Sequence, residues 1–154
     1  MSNWPGILRR AFVSGTLASA TSSIALAVVA RLEGKGALQP VNATSHWLNG
    51  ERAASVKRAD LVHTGVGFAT HTAATLFWAV LFERWIMHRR PVAVLPAVQD
   101  AMVMSIVAAA ADYIATPKRF TPGWEFVLSE RGMAAVYAAM ALGLAGGAVL
   151  ARRR

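Results

Sequence analysis

Asp60, His63 and His71 fall in one long apolar stretch, and Asp100 and Asp112 fall in another. Imidazole titrates near neutral pH and a neighbouring carboxylate favours its charged form, so His–Asp pairs in apolar surroundings can sense or pass protons. Two histidines with two or three aspartates are also a plausible ligand set for a divalent ion. The third reading is structural, with polar partners satisfying one another inside a bundle. His63 and His71 are eight residues apart, two helical turns, too far to share one ion easily. The i, i+3 or i, i+4 metal spacing is absent, so the metal reading stays open without a defined ligand set. Haem held by two histidines has less support, because His46 and His88 lie outside the apolar stretches. No cofactor is expected. With no cysteine, thiolate metal sites, thiol catalysis and disulfides are excluded. HExxH, GxSxG and phosphate-loop patterns are missing too, so no enzyme is expected.

The elements that must hold these residues are long helices. In 60–82, DLVHTGVGFATHTAATLFWAVLF, Asp60, His63, Thr64, Gly67, His71, Ala74, Thr75 and Trp78 lie within about 60° of one line at about 100° per residue. Val62, Ala69, Leu76 and Val80 face the other way. Runs of similar character cover 11–30, 61–82, 91–113 and 133–151, with charges gathered between them. A chain of 154 residues that is 55% hydrophobic, with four such runs, reads as an all-α polytopic membrane four-helix bundle. It is one transmembrane domain, 1–154, with helices near 8–31, 56–87, 91–115 and 122–151 and a first connection of 32–55. Strand-like alternation is missing, and helices are then the only reasonable spans in hydrocarbon.

Short interfacial helices are expected in the first and third connections. One covers residues 43–48, capped by Asn42, stopped near Gly50, with Trp47 at headgroup level. The other opens on Thr121-Pro122 as an N-cap and N1 pair and lays Trp124, Phe126 and Leu128 on the surface. Pro91 suits the first turn of the third span, whereas Pro96 falls inside it and should kink it. Asn42-Ala43-Thr44 matches a glycosylation sequon that is too short to carry weight.

Small residues recur every fourth position in helix 1 (Ala11, Gly15, Ser19, Ser23, Ala27) and in helix 4 (Ala135, Ala139, Gly143, Gly147, Ala151). Such stripes let backbones approach where no hydrophobic effect draws helices together. Gly15, Ser19, Ser23, Ala139, Gly143 and Gly147 are therefore the packing candidates, against each other, the middle helices or another subunit. Folding helices 2 and 3 as an antiparallel hairpin about residue 87 puts Asp100 level with Ala74, within a turn of His71. It puts Asp112 level with Val62, near His63 and Asp60.

The formal charge of +8 would suggest nucleic acid in a soluble protein. Here Arg9, Arg10, Arg84, Arg89, Arg90 and Arg152 to Arg154 sit at helix ends, which fits topology and anionic lipid headgroups instead. These are packed against the helix ends, while the other eight Lys and Arg are spread over longer loops. That places both termini in the cytoplasm. Arg9-Arg10 with the following run also has the look of a twin-arginine export signal, but an uncleaved first helix fits the chain beyond it better.

The strings LQPVNATSHWLNGE, HTGVGFATHTAATLFWAVLFE and DYIATPKRFTPGWE resemble segments of small uncharacterised bacterial inner-membrane proteins with four predicted transmembrane helices. The resemblance covers much of 38–125 and picks out His46, Trp47, His63, His71, Asp112, Lys118, Arg119 and Pro122. It implies a bacterial inner membrane and no particular activity. Three functions are expected in order: a non-enzymatic accessory or assembly protein working through helix contacts with a membrane-protein partner or a second copy; a small proton- or ion-responsive transporter or channel component; and a membrane metal-binding protein.

Overall fold

The computed structural model describes residues 3–88 and 93–152, so expectations resting on Arg89, Arg90, Pro91, Arg153 and Arg154 lie outside the described residues. Among the described residues there is no strand, and four helices are long and apolar enough to cross a membrane: Trp4–Leu32, Leu61–His88, Val94–Ala115 and Glu130–Arg152. The α-helices are α1 (Trp4–Leu32), α2 (Gln39–Ala43), α3 (His46–Asn49), α4 (Val66–Trp85), α5 (Val94–Ala110) and α6 (Glu130–Arg152). Single π-helical turns extend α4 backwards over Leu61–Gly65 and α5 forwards over Ala111–Ala115.

The bundle is built outward from α1 and α6, which pack together along much of their length. α4 lies on α1 and α5 on α6. Small residues set this order. A Cβ on Gly147 would come 2.3 Å from Ser14 Cα, and one on Gly143 would come 2.5 Å from Ala18 Cα. Side chains at these two positions would hold the helices apart. On another face of α1, a Cβ on Gly15 would meet Leu76 of α4 at 2.8 Å, and Ser19 Oγ lies 2.9 Å from Thr72 Oγ1. So the α6 stripe packs on Ser14 and Ala18, while the α1 stripe packs on α4. Ala139 contributes its carbonyl, which accepts from Thr21 Oγ1 at 2.8 Å. Ser23 is half-buried.

The close hairpin of α4 and α5 is not formed. The two touch only sparsely, because the polar face of α4 is spent on α1. α5 begins at Val94, which puts Pro96 in the first turn, where a missing N–H costs nothing, so the expected kink has no cause.

The first connection is a packed cap. α2 is buried over its whole length, and Gly67 lets it sit on α4: a Cβ there would overlap the Val41 carbonyl oxygen at 1.9 Å. The single helix expected over 43–48 is broken at Thr44 and Ser45. Asn42 is not its N-cap. It lies inside α2, donates to the Val56 and Arg58 carbonyls at 2.7 and 3.1 Å, and accepts from Thr64 at 2.6 Å. Gly50, at φ 74°, ends α3.

The third connection folds down onto this cap through 3-10 turns at Lys118–Phe120 and Trp124–Phe126. Thr121 is extended backbone between them, so the expected N-cap at Thr121-Pro122 is absent and the last helix starts at Glu130. Trp124 is buried under the cap at 3% exposure, Leu128 is buried as well, and only Phe126 of the three expected surface residues is exposed. Gly123, at φ 80°, makes the bend, its Cα close under the Ala43 carbonyl.

Candidate functional site

The ionisable residues of the two middle spans find separate partners. Asp60 caps the π turn at the start of the second span, accepting from the His63 backbone N–H at 2.6 Å and lying 3.0 Å from His63 Nδ1. The His63 contacts, above all its backbone N–H, hold the Asp60 carboxyl below the usual carboxylate range. His63 therefore pairs within its own turn and not with Asp112.

His71 points into the bundle, 4% exposed, with Nε2 2.9 Å from Ser22 Oγ of α1. The Ser22 hydroxyl has one proton and gives it to the Ala18 carbonyl at 2.6 Å. With that proton on Ala18, Ser22 accepts from His71 Nε2, the ring also reaching the Ser19 carbonyl, and in this tautomer Nδ1 is an acceptor. The expected partner, Asp100, is buried on α5, away from this contact. Asp112 accepts from Tyr137 of α6 at 2.6 Å. The matching depths read from the sequence are thus not matching faces. His71 meets a hydroxyl of α1 and Asp112 a hydroxyl of α6, while His63 and Asp60 meet each other.

Two of these residues share a cavity of ≈ 330 Å³ below the cap. His71, Thr75 and Trp78 of α4 line one side; Tyr137 and Met140 of α6, with Asp112, line the other. The roof is Thr44 and Trp47 from the cap and 120–122 with Trp124 from the third connection. It occupies the gap left where α4 and α5 diverge. Trp124 packs edge-on against His71 and at a tilt against Tyr137, with ring centroids at 5.6 and 5.4 Å. Trp47 donates to Thr70, and Trp124 donates to Thr44. His63, Asp60 and Asp100 do not line it. Among the described residues, no group of three or more His, Asp and Glu is close enough to hold a metal ion.

At the far end of the bundle a second polar group joins three helices. Glu83 of α4 is fully buried, 2.8 Å from Arg152 of α6 and 3.4 Å from Arg10 of α1. From sequence these arginines read only as topology signals. The clue was Glu83, an acid at the end of an apolar span, level with basic ends of two other helices. At the cap end, Glu33 closes α1 onto α6, accepting from Ser129 N at 2.9 Å and Ser129 Oγ at 2.6 Å. These bonds hold the Glu33 carboxyl below its usual range.

No protein family, curated protein or solved structure matches the chain in sequence or fold comparison.

Proposed function

We propose that this is a non-enzymatic integral membrane protein of the bacterial inner membrane, with both termini cytoplasmic, that acts through contact as an accessory or assembly subunit. One observation carries the reading. His71, Asp112 and His63 are hydrogen-bonded to groups of the surrounding fold, and the charge of Glu83 is paired with Arg10 and Arg152 although its Oε1 has no hydrogen bond, so their burial is compensated without a transported ion. A polar cap packed on the bundle, with Trp47, Lys118 and Arg119 at its surface, offers a face for a partner at the outer headgroup level.

The transporter reading keeps one supporting observation, the cavity reaching His71 from the cap side. Purification in mild detergent followed by intact-complex mass analysis, with pH-gradient decay in proteoliposomes, separates the two. We expect a defined complex, with a partner or a second copy, and decay no faster than in protein-free vesicles. Decay that depends on the protein and disappears in His71→Ala and Asp112→Asn would overturn the contact reading in favour of transport. Stoichiometric metal would overturn it in favour of a metal protein.

A further inference from the structure

We propose that the cavity below the cap binds a primary ammonium group carried on an apolar chain. The inference rests on the membrane placement proposed above but not on the accessory role.

The cavity wall holds few free donors. Most of its donors are committed: Trp47 to Thr70, Trp124 to Thr44, Thr44 to Pro40, Thr75 to Thr72 and Tyr137 to Asp112. Thr70, which accepts from Trp47, keeps its own hydroxyl proton, and two stronger acceptors remain. One is Nδ1 of His71, whose ring is more than nine-tenths buried and turns Nε2 toward Ser22 and the α1 backbone. The other is Asp112 Oδ1, which has no hydrogen bond among the described residues, since Tyr137 donates to Oδ2. A wall that offers acceptors selects a ligand that donates.

Charge points the same way. Among the described residues Asp112 has no basic group within 4.0 Å. Trp47, Trp78, Trp124 and Tyr137 line the cavity with aromatic rings, a composition that suits a cation. The basic groups stand outside: Arg119 donates to the Trp47 carbonyl at 3.3 Å, with its guanidinium 6.0 Å from the Phe120 ring. Below Asp112 the lining turns apolar at Ala74, Trp78 and Met140, which accommodates a chain. The cavity's ≈ 330 Å³ suits one head and a short length of chain.

Two sources carry this chemistry, an aminophospholipid headgroup and a free lipophilic amine. Three of the five tryptophans line the cavity, so their fluorescence reports occupancy. The full chain in phosphatidylcholine nanodiscs is titrated with octylammonium, octanol and octanoate. Octylammonium should give a saturable change, with octanol and octanoate weaker by about tenfold or more. Asp112→Asn, which keeps an acceptor for Tyr137, should weaken octylammonium by about tenfold. Ala74→Leu, which fills the cavity from an exposed helix face, should abolish the response while the far-ultraviolet spectrum is kept. Adding phosphatidylethanolamine to the discs distinguishes the sources: competition identifies the lipid headgroup, and unaltered binding identifies a free amine. The proposal is overturned if the parent protein gives no saturable response, if octanol binds as tightly as octylammonium, or if Ala74→Leu binds like the parent.

Discussion

Gly67 shows how much can hang on one missing methyl. It reads in the sequence as a small residue on a polar face, yet its task is to let the Val41 carbonyl reach the helix backbone. We expect Gly67→Ala to cost about 2 kcal/mol or more, because the backbone itself must move. Detergent unfolding followed by tryptophan fluorescence measures this, and unchanged stability would contradict the close seating of α2. Asp60 and Glu33 give a prediction in pH. Both carboxyls sit below their usual range, Asp60 through His63 and Glu33 through Ser129. A depressed folded value means stability that is present above the unfolded value and lost as pH falls through the folded one. Cap protection in hydrogen exchange should therefore weaken on acidification below the ordinary carboxylate range. In Asp60→Asn and Glu33→Gln that dependence should flatten. The sequence exposed His63, His71, Asp60 and Asp112 as residues needing partners. It could not name Ser22 or Tyr137, because a hydroxyl gives no pattern until the helix faces are known.

Among the elements, the arrangement turns on backbone approach. α6 meets α1 at Gly143 and Gly147, and α4 meets α1 at Gly15 and Ser19, leaving α4 and α5 apart. The number and rough extent of the apolar helices were legible from hydropathy and the small-residue stripes were visible. Which stripe served which neighbour was not, since periodicity marks a face without its partner. The hairpin inference failed for that reason: a short connection fixes depth but does not fix contact. The start of α5 at Val94 likewise turned Pro96 from a kink into a first-turn residue. The cluster that ties three elements together is Glu83 with Arg10 and Arg152. Removing one charge of a buried ionic group leaves the others uncompensated, so Glu83→Gln should lose about 3 kcal/mol of stability. Glu83→Asp, which keeps the charge, should lose less. Equal stability of parent and Glu83→Gln in thermal unfolding would show that the arginines are solvated independently.

On the scale of the whole molecule, the bundle has two unlike ends. One carries a folded cap made from the first and third connections, and the other carries the Glu83 cluster and the arginine-rich helix termini. With the arginine-rich end in the cytoplasm, Glu51→Cys in the cap should react with an impermeant thiol reagent from outside intact cells, and His88→Cys should not. The reverse pattern would invert the topology. The chain has no cysteine, so introduced pairs report alone. That also opens the most direct test of the central claim, that the polar face of α4 is satisfied by α1 inside the bundle. Ser19 Oγ and Thr72 Oγ1 are 2.9 Å apart, so a Ser19→Cys/Thr72→Cys pair should cross-link rapidly in native membranes on mild oxidation. An Ala74→Cys/Asp100→Cys pair should not. Rapid cross-linking of the second pair with none in the first would contradict the account and restore a hairpin of α4 on α5.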